Sequence, residues 1–181
     1  MREQANKMYT VFPYYIAKIL SDVPVFLIVP MIFTLITFFA IGFTRQVDIF
    51  FGFFISLAMN TLAGVSLGYL ISSAFTVAAL ALAIAPVIAM PLMLVGGFFA
   101  NTDSFPVWLQ YFSYISPFKY AFNNMAKLEF TNNPAPAAKL IAIQLGVEDE
   151  FIEGIYKMAI LIAIIQILSY CFLRLLVTKF Q

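Results

Sequence analysis

Long apolar stretches without charges alternate along this chain with short charged ones. The longest covers residues 49–102, a run of 54 residues that contains no Asp, Glu, Lys or Arg. An α-helix rises about 1.5 Å per residue, so roughly 20 apolar residues cross a hydrocarbon core of about 30 Å. This run is long enough to cross a bilayer twice, and it indicates a membrane protein.

Four apolar segments predict four transmembrane helices, with approximate bounds at residues 23–44, 49–72, 75–99 and 154–173. A charge at the bilayer centre costs roughly 2.5–3.5 kcal/mol on insertion scales, so charges are expected at the ends of spans. The charges at or near these ends are Asp22, Arg45, Asp48, Lys157 and Arg174. Tight loops join the first three segments, which makes them antiparallel neighbours. The predicted fold is an all-α, polytopic membrane helix bundle.

The flanking segments predict the orientation of the bundle. Residues 1–22 mix charged and aromatic side chains, as in an amphipathic helix on a membrane surface, and residues 174–181 form a short tail. The loop 100–153 holds six of the nine acidic residues. Since an even number of spans puts both termini on one side, the positive-inside rule favours cytoplasmic termini and an extracellular loop.

Two short amphipathic helices are predicted inside this loop. The first begins near Asp103 and Ser104, just before Pro106, and the second begins at Ser116 and Pro117. Their apolar positions recur at helical spacing: Trp108, Tyr111, Phe112 and Ile115, then Phe118, Ala121, Phe122 and Met125. Both are too short to span, so we expect them to be interfacial or re-entrant. A third short helix is predicted at 137–145, before Gly146.

Composition excludes several classes of function. The chain is 63% hydrophobic and 10% charged, with a net charge of +1, which gives no basic surface for nucleic acid. It has one Cys and no His, so it lacks an internal disulfide and the commonest metal ligand and general base. The sequence contains neither a phosphate loop nor a zinc-protease motif. We therefore expect no catalytic, cofactor or metal site in this chain, and energy for any transport must come from elsewhere.

A ridge of small and polar residues runs along the second span. Its members fall at every fourth position: Gly52, Ser56, Asn60, Gly64, Gly68 and Ser72. Small residues at this spacing permit close helix packing, which is the favoured interpretation. The alternative is that Asn60, with Ser56 or Thr61, lines a substrate path.

Two features mark the third span. Pro86 and Pro91 predict a kink, which serves either packing or gating. At the end of the span, Phe98 and Phe99 follow two glycines and are candidates for interfacial anchors or for a hydrophobic constriction. The residues by themselves favour anchors.

The order of these features resembles the membrane domain of the G subfamily of ABC transporters, the White and Scarlet type half-transporters with their drug- and sterol-exporting relatives. The landmarks cover nearly the whole chain. They are Arg2 with Glu3, Tyr9, Tyr14 with Tyr15, KILSDVP at 18–24, Pro30, GGFFAN at 96–101, WLQYFSY at 108–114, SPFKYA at 116–121, and Glu129 with Phe130.

The resemblance implies that this chain is the C-terminal part of an ABC-2 type transmembrane domain. Such proteins have an ATP-binding domain, then six spans, and work as homo- or heterodimers. This chain would supply spans three to six. ATP and magnesium are expected on the missing nucleotide-binding domain, and the expected partners are that domain, the first two spans, a second half-transporter and membrane lipid.

The resemblance also implies roles for particular residues. Arg2 and Glu3 match the region that couples the ATP domain to the helices. Three residues of the third span match positions that face the central cavity: Pro86, Met90 and Met93. Phe98 and Phe99 match an apolar plug between cavity and exit, which reverses the preference for anchors. Leu27 matches a position that influences substrate choice.

The leading hypothesis is the membrane part of an ATP-driven exporter of apolar or amphipathic substrates (a lipid, sterol, pigment precursor or drug-like molecule), in the plasma membrane or an intracellular one. The alternative is a standalone four-span scaffold or regulatory protein that associates with half-transporters through Gly64 and Gly68. An ion channel is the weakest hypothesis, because the sequence has no charged ring or filter. The outer loop also departs from some animal relatives, since it lacks cysteines and N-x-Ser/Thr glycosylation sites.

Overall fold

The computed structural model describes residues 11–43, 46–75, 77–97, 105–132 and 151–179. Every regular element in these ranges is helical, which confirms the all-α prediction for them. The helices are α1 (Val11–Ile41), α2 (Val47–Ala74), α3 (Ala78–Leu94), α4 (Val107–Ser113), α5 (Pro117–Asn132) and α6 (Phe151–Lys179). The helix predicted at 137–145 lies outside the described residues.

Three helices are long and apolar enough to cross a membrane. The qualifying segments are Phe12–Ile41, Val47–Ala74 and Phe151–Leu176. The remaining predicted span, 75–99, contains the 17-residue α3. At about 1.5 Å per residue α3 is about 26 Å long, slightly less than a hydrocarbon core of about 30 Å. Three of the four predicted spans are thus confirmed as full-length candidates, and α3 is a shorter apolar helix.

Backbone conformation explains why α3 is short. Phe75 and Val77 are both extended, with φ of −115° and −102°, so the helix begins only at Ala78. After Leu94 the chain turns, and Gly97 has a φ of +85°, a left-handed conformation that favours glycine. The glycines noted in the sequence therefore end the helix earlier than its apolar pattern does.

The first helix extends beyond the predicted span. It begins at Val11 and continues without a break through Asp22, although a surface segment and a span were predicted to meet there. Lys18 Nζ lies 2.9 Å from Asp22 Oδ2, one helical turn away, so the two charges neutralise each other within the helix. This pairing lets α1 carry both charges inside one continuous apolar helix.

The centre of the bundle is α2, which packs against α6, α5 and α1. Its buried face carries small side chains, among them Ser56, Ala63 and Ser66, all fully buried or nearly so. Small residues let helix backbones approach closely in a membrane, where lipid supplies no hydrophobic driving force between helices. Of the predicted ridge, Gly52 and Ser56 are buried, so the packing interpretation is confirmed for these two members, whereas Ala63 and Ser66 lie outside the ridge.

Helix α5 packs between α2 and α6. A Cβ atom added at Gly52 of α2 would lie 2.5 Å from Leu128 Cδ1, and one added at Gly154 of α6 would overlap Asn124 Oδ1. Both glycines therefore permit a close approach to α5. The helix is 16 residues long and buries Tyr120, Ala121 and Asn124 in the protein.

The short helix α4 differs from α5 in its surroundings. Trp108 is 71% exposed and Tyr111 is 70% exposed, whereas only Ser113 of α4 is buried. Exposed Trp and Tyr side chains are typical of the membrane–water interface. Both predicted loop helices are thus present, α4 exposed and α5 packed inside the bundle, and their placement relative to the membrane stays a prediction.

An aromatic cluster marks the end of the bundle where α1 turns into α2. Phe38, Ile49 and Phe53 form its buried part, and the partly buried side chains around it include Met125 and Leu128 of α5. Gly42 has a φ of +76°, which places the left-handed residue of the turn on a glycine. Helix α5 packs at this end of the bundle. The N-terminal part of α1 and the C-terminal part of α6 meet at the opposite end.

Candidate functional site

One face of α3 carries the three residues proposed to line a substrate path. Pro86, Met90 and Met93 follow the i, i+4, i+7 spacing of a single helical face. All three are exposed in this chain, Met90 by 64% and Met93 by 45%. The only buried residue of the helix is Leu92. The structure thus places these residues together on an uncharged apolar surface that the rest of the described chain leaves open.

The C-terminal end of α3 is fixed to the start of α5. Ser116 Oγ donates a hydrogen bond of 2.6 Å to the backbone oxygen of Leu92, one of the last four carbonyls of the helix, which have no partner within it. A Cβ atom at Gly96 would lie 2.9 Å from Phe118 Cβ, so glycine permits close contact with the start of α5. Sequence reasoning did not identify Ser116 as a contact of α3.

The other predicted site residues have different positions. Leu27 is partly buried on α1. Asn60 lies on α2, and its Oδ1 atom is buried without a hydrogen-bond partner among the described residues. Phe98 and Phe99, and also Arg2 and Glu3, lie outside the described residues, so their predicted roles stay predictions.

The small-residue ridge of α2 is divided between two environments. Gly52 and Ser56 are buried, and Ser56 Oγ donates to the backbone oxygen of Gly52 at 2.9 Å. In contrast, Gly64 and Gly68 are exposed, and a Cβ atom at either would have no neighbour within 4 Å in the described chain. One half of the ridge therefore packs inside this chain, and the other half is an open helix face.

A polar network joins three helices at the end opposite α5. Tyr69 donates to Asp22 Oδ2 at 2.5 Å, and Lys18 donates to the same oxygen at 2.9 Å. Tyr15 donates to Gln166, to its side-chain oxygen and to its backbone oxygen. Gln166 Nε2 in turn donates to Ser66 Oγ at 2.9 Å. These bonds connect α1, α2 and α6.

Sequence reasoning missed this network because it placed Asp22 at the end of a span. The spacing of Lys18 and Asp22, four residues apart, was the available signal. Gln166, a polar residue in the middle of the last apolar segment, was another. Polar groups inside membrane helices face one another because lipid cannot satisfy them.

A cavity of about 290 Å³ lies beside the network. It is bounded by the start of α1, the C-terminal parts of α2 and α6, and the start of α3. Most of its walls are apolar or aromatic, with a few hydroxyl groups. Its lining consists of Tyr14, Tyr15, Lys18, Ile19, Tyr69, Ser72, Ser73, Phe75, Ala78, Ala81, Ser169, Leu173 and Leu176. None of the residues predicted for the substrate path belongs to it.

Within the described ranges, no group of three or more His, Cys, Asp or Glu residues could hold a metal ion. Three features define the class of protein: the long apolar helices, the exposed proline-containing helix α3, and the pairing of opposite charges within α1. Together they define an integral, multi-pass membrane domain.

Comparison with known proteins gives the family. The chain belongs to the ABC-2 type transporter family, whose model matches residues 1–130. It is 40% identical to Protein white of Ceratitis capitata over 124 residues, which are 67% of this chain and 18% of that protein. It is 34% identical to Protein white of Drosophila melanogaster over 189 residues, 97% of this chain and 28% of that protein.

A more distant relative extends the same assignment. The chain is 27% identical to the broad substrate specificity ATP-binding cassette transporter ABCG2 of Bos taurus over 131 residues, 72% of this chain and 20% of that protein. The resemblance seen in the sequence is thereby confirmed: this is transmembrane-domain sequence of the G-family, White type. The chain spans between 18% and 28% of the length of these three relatives.

Proposed function

We propose that this chain forms spans three to six of a half-transporter that, as a homo- or heterodimer, exports an apolar or amphipathic substrate at the expense of ATP. The observation that carries the proposal is the exposed face of α3. Its three candidate path residues are all exposed, on a helix with a single buried residue. This apolar surface is free to form one wall of a substrate cavity that is shared with a second half-transporter.

The chemistry of this face determines the class of substrate. α3 contains no charged or hydrogen-bonding side chain, so it offers dispersion contacts and hydrophobic burial. Methionine is flexible and polarizable, which suits surfaces that accommodate ligands of different shapes. Leu27 on α1 and Asn60 on α2 are proposed as further contacts along the path, Asn60 with a hydrogen-bonding group.

The proposed energy source lies outside this chain. ATP and magnesium would bind a nucleotide-binding domain, and Arg2 and Glu3 would transmit its movement to α1. Phe98 and Phe99 would close the path on the outer side. Lys18 and Arg174 lie at the end of the bundle opposite α5, and this supports the proposal that both termini are cytoplasmic.

The test is an ATPase and transport assay on the complete half-transporter in proteoliposomes, with a panel of sterols, pigment precursors and drugs. Met90→Ala and Met93→Ala should change which substrates stimulate ATP hydrolysis. Ile88→Ala is the matched control, because Ile88 is exposed by 39% on the opposite face of the same helix. If all three substitutions changed the substrate dependence of ATP hydrolysis equally, the proposal that this face of α3 lines the substrate path would be wrong.

The open half of the α2 ridge favours a second candidate function, a scaffold or regulatory protein that packs against half-transporters. Gly64 and Gly68 offer an uncovered close-packing surface that does not depend on transport. Co-purification of the 181-residue chain with a half-transporter, without any change in ATPase-linked transport, would support this function. Failure to associate with any half-transporter would exclude it.

A further inference from the structure

We propose that Ser116 and Gly96 are positioning residues for the substrate path. They fix the last turn of α3 to the start of α5, so that α5 determines where Met90 and Met93 lie. The inference rests on the proposed function of the α3 face. It adds that two residues outside this face control which substrates fit the path.

The burial of α3 is concentrated at its C-terminal end. The first turn, which consists of Ala78, Ala79 and Leu80, is exposed. In contrast, Leu92 in the last turn is 6% exposed, and Val95 directly after the helix is 5% exposed. The contacts that determine the position of α3 within the described chain therefore lie at one end of the helix.

A hydrogen bond connects this end to α5. Ser116, the residue before α5, is fully buried, and its Oγ atom donates to the backbone oxygen of Leu92 at 2.6 Å. Among the described residues, Ser116 is the only one outside positions 77–97 that is hydrogen-bonded to α3. Because hydrogen bonds depend on angle as well as distance, this bond selects one orientation of the last turn.

A close contact at Gly96 reinforces the bond. A Cβ atom at this position would lie 2.9 Å from Phe118 Cβ and 3.0 Å from the backbone oxygen of Met93. Neither atom is the end of a flexible side chain, so a larger residue must separate α3 from α5. The Gly96 N–H also donates to the Met93 backbone oxygen at 3.1 Å, which makes a residue of the path face part of this contact.

Helix α5 is itself held on both sides. Its Leu128 side chain packs against Gly52 of α2, and its Asn124 side chain packs against Gly154 of α6. Tyr120, one turn after the start of α5, is 5% exposed. A change at the contact between α3 and α5 is therefore expected to move α3, which is largely uncovered in the described chain, rather than α5.

A helix that is held near one end can tilt about that end. Ten residues separate Leu92 from Leu82, a length of about 15 Å at about 1.5 Å per residue. A tilt of about 8° at Leu92 therefore displaces Leu82 by about 2 Å. The same tilt changes the direction in which Met90 and Met93 face.

The first experiment measures the position of α3 in the full chain, in phosphatidylcholine nanodiscs. Spin labels are attached to Leu82→Cys on α3 and Ile152→Cys on α6, in a Cys171→Ala background. The replaced leucine and isoleucine are 75% and 77% exposed, so the labels should not disturb the packing. Double electron–electron resonance should show the distance shifted by about 2 Å in Gly96→Ala, and a broader distribution in Ser116→Ala.

Two matched controls accompany these variants. Gly64→Ala also adds a methyl group to a helix surface, but its Cβ has no described neighbour within 4 Å. Ser73→Ala also removes a buried hydroxyl, but that hydroxyl donates within α2, to the backbone oxygen of Leu70 at 2.8 Å. Neither control should change the distance. An unchanged distance distribution in both Gly96→Ala and Ser116→Ala, with the chain folded, would overturn the inference.

The second experiment measures ATP hydrolysis by the complete half-transporter in proteoliposomes, with the substrate panel described above. Ser116→Ala and Gly96→Ala should each change the half-maximal stimulating concentration about fourfold for some substrates and not for others, as for the loss of contact with about one methylene group. Ser73→Ala should behave like the unmodified protein. A purely structural role would instead lower the maximal rate by the same factor for every substrate, and that result would assign Ser116 and Gly96 to folding alone.

Two further outcomes separate the inference from the proposed function. If Ser116→Ala and Gly96→Ala move α3 without changing the substrate profile, while Met90→Ala and Met93→Ala do change it, the positioning role is wrong and the path along α3 stands. If none of the four substitutions changes the profile, the path along α3 is wrong, and the positioning role is rejected with it.

Discussion

The hydroxyl of Tyr69 on α2 donates a hydrogen bond of 2.5 Å to Oδ2 of Asp22 on α1. The same oxygen accepts from Lys18, so one carboxylate oxygen is shared between a bond within α1 and a bond between helices. The first predicted consequence concerns stability. Tyr69→Phe should lower the melting temperature of the chain in detergent, and Asp22→Ala should lower it further, because it also leaves Lys18 unpaired in an apolar helix.

The melting temperature is measured by fluorescence-detected size-exclusion chromatography of samples heated to increasing temperatures. Tyr111→Phe serves as the control, since Tyr111 is 70% exposed on α4 and its loss of a hydroxyl should not matter. If the Tyr69→Phe and Tyr111→Phe variants had the same melting temperature, the bond to Asp22 would not contribute to stability.

The second prediction compares two glycines of long helices. Gly154→Ala should destabilise the bundle by about 1–3 kcal/mol, the usual cost of overpacking, because the new Cβ would overlap the buried side chain of Asn124. Gly64→Ala is the matched control. Its Cβ meets no described neighbour, and alanine is a better helix former than glycine by about 1 kcal/mol. Unfolding curves in urea or SDS that ranked the two variants the other way would contradict the packing of α5 on α6.

The third prediction concerns the fixed end of α3. Ser116→Ala removes the 2.6 Å bond to the Leu92 carbonyl and leaves a buried acceptor, at an expected cost of about 1–3 kcal/mol. Hydrogen exchange should rise in the last turn of α3 and the first turn of α5. Ser56→Ala should cost less, because the Gly52 carbonyl that loses its side-chain donor lies inside a helix and retains its backbone bond. Unchanged exchange in the Ser116 variant would show that α3 is held by packing alone.

The fourth prediction follows from the family assignment. In the complete transporter, Phe98→Ala combined with Phe99→Ala should alter transport while the dimer still assembles, because a hydrophobic constriction controls passage and contributes little to the fold. Substrate flux and dimer yield are measured on the same preparation. Loss of the folded dimer would assign the pair to structure instead.

The fifth prediction uses the open half of the α2 ridge. Gly64→Leu and Gly68→Leu should leave the isolated chain as stable as before, since both positions are uncovered in the described structure. They should weaken association with the remaining spans or with a half-transporter, because close helix approach requires small residues. Co-purification yield is the readout, and Ile55→Leu on the same helix, 39% exposed, is the control. Equal yields for all three would leave the open glycines without a packing role.

Apolar patterning predicted where the long helices lie, because the exclusion of charge from lipid is a strong and local constraint. It could not predict the start of α1, since Lys18 and Asp22 each disfavour a membrane helix when considered singly, and their charges cancel only when they are paired. The end of α3 depends on the turn that contains Gly97, and two consecutive glycines predict a turn there without its exact position.

The positions of the candidate site residues were predictable only in part, because helical spacing shows which residues share a face but not what surrounds that face. Pro86, Met90 and Met93 share a face by spacing alone, whereas Gly52 and Gly64 have the same spacing pattern and opposite environments.

The central role of α2 has a consequence for synthesis of the protein. Its main partner is α6, which is synthesised after the other described helices, and the bond between Ser66 and Gln166 joins residues 100 positions apart. Helix α5 also needs Gly154 of α6 before it can pack against both neighbours. The bundle therefore cannot close until α6 has been synthesised. A chain interrupted before α6 would keep the small-residue face of α2 and one side of α5 uncovered.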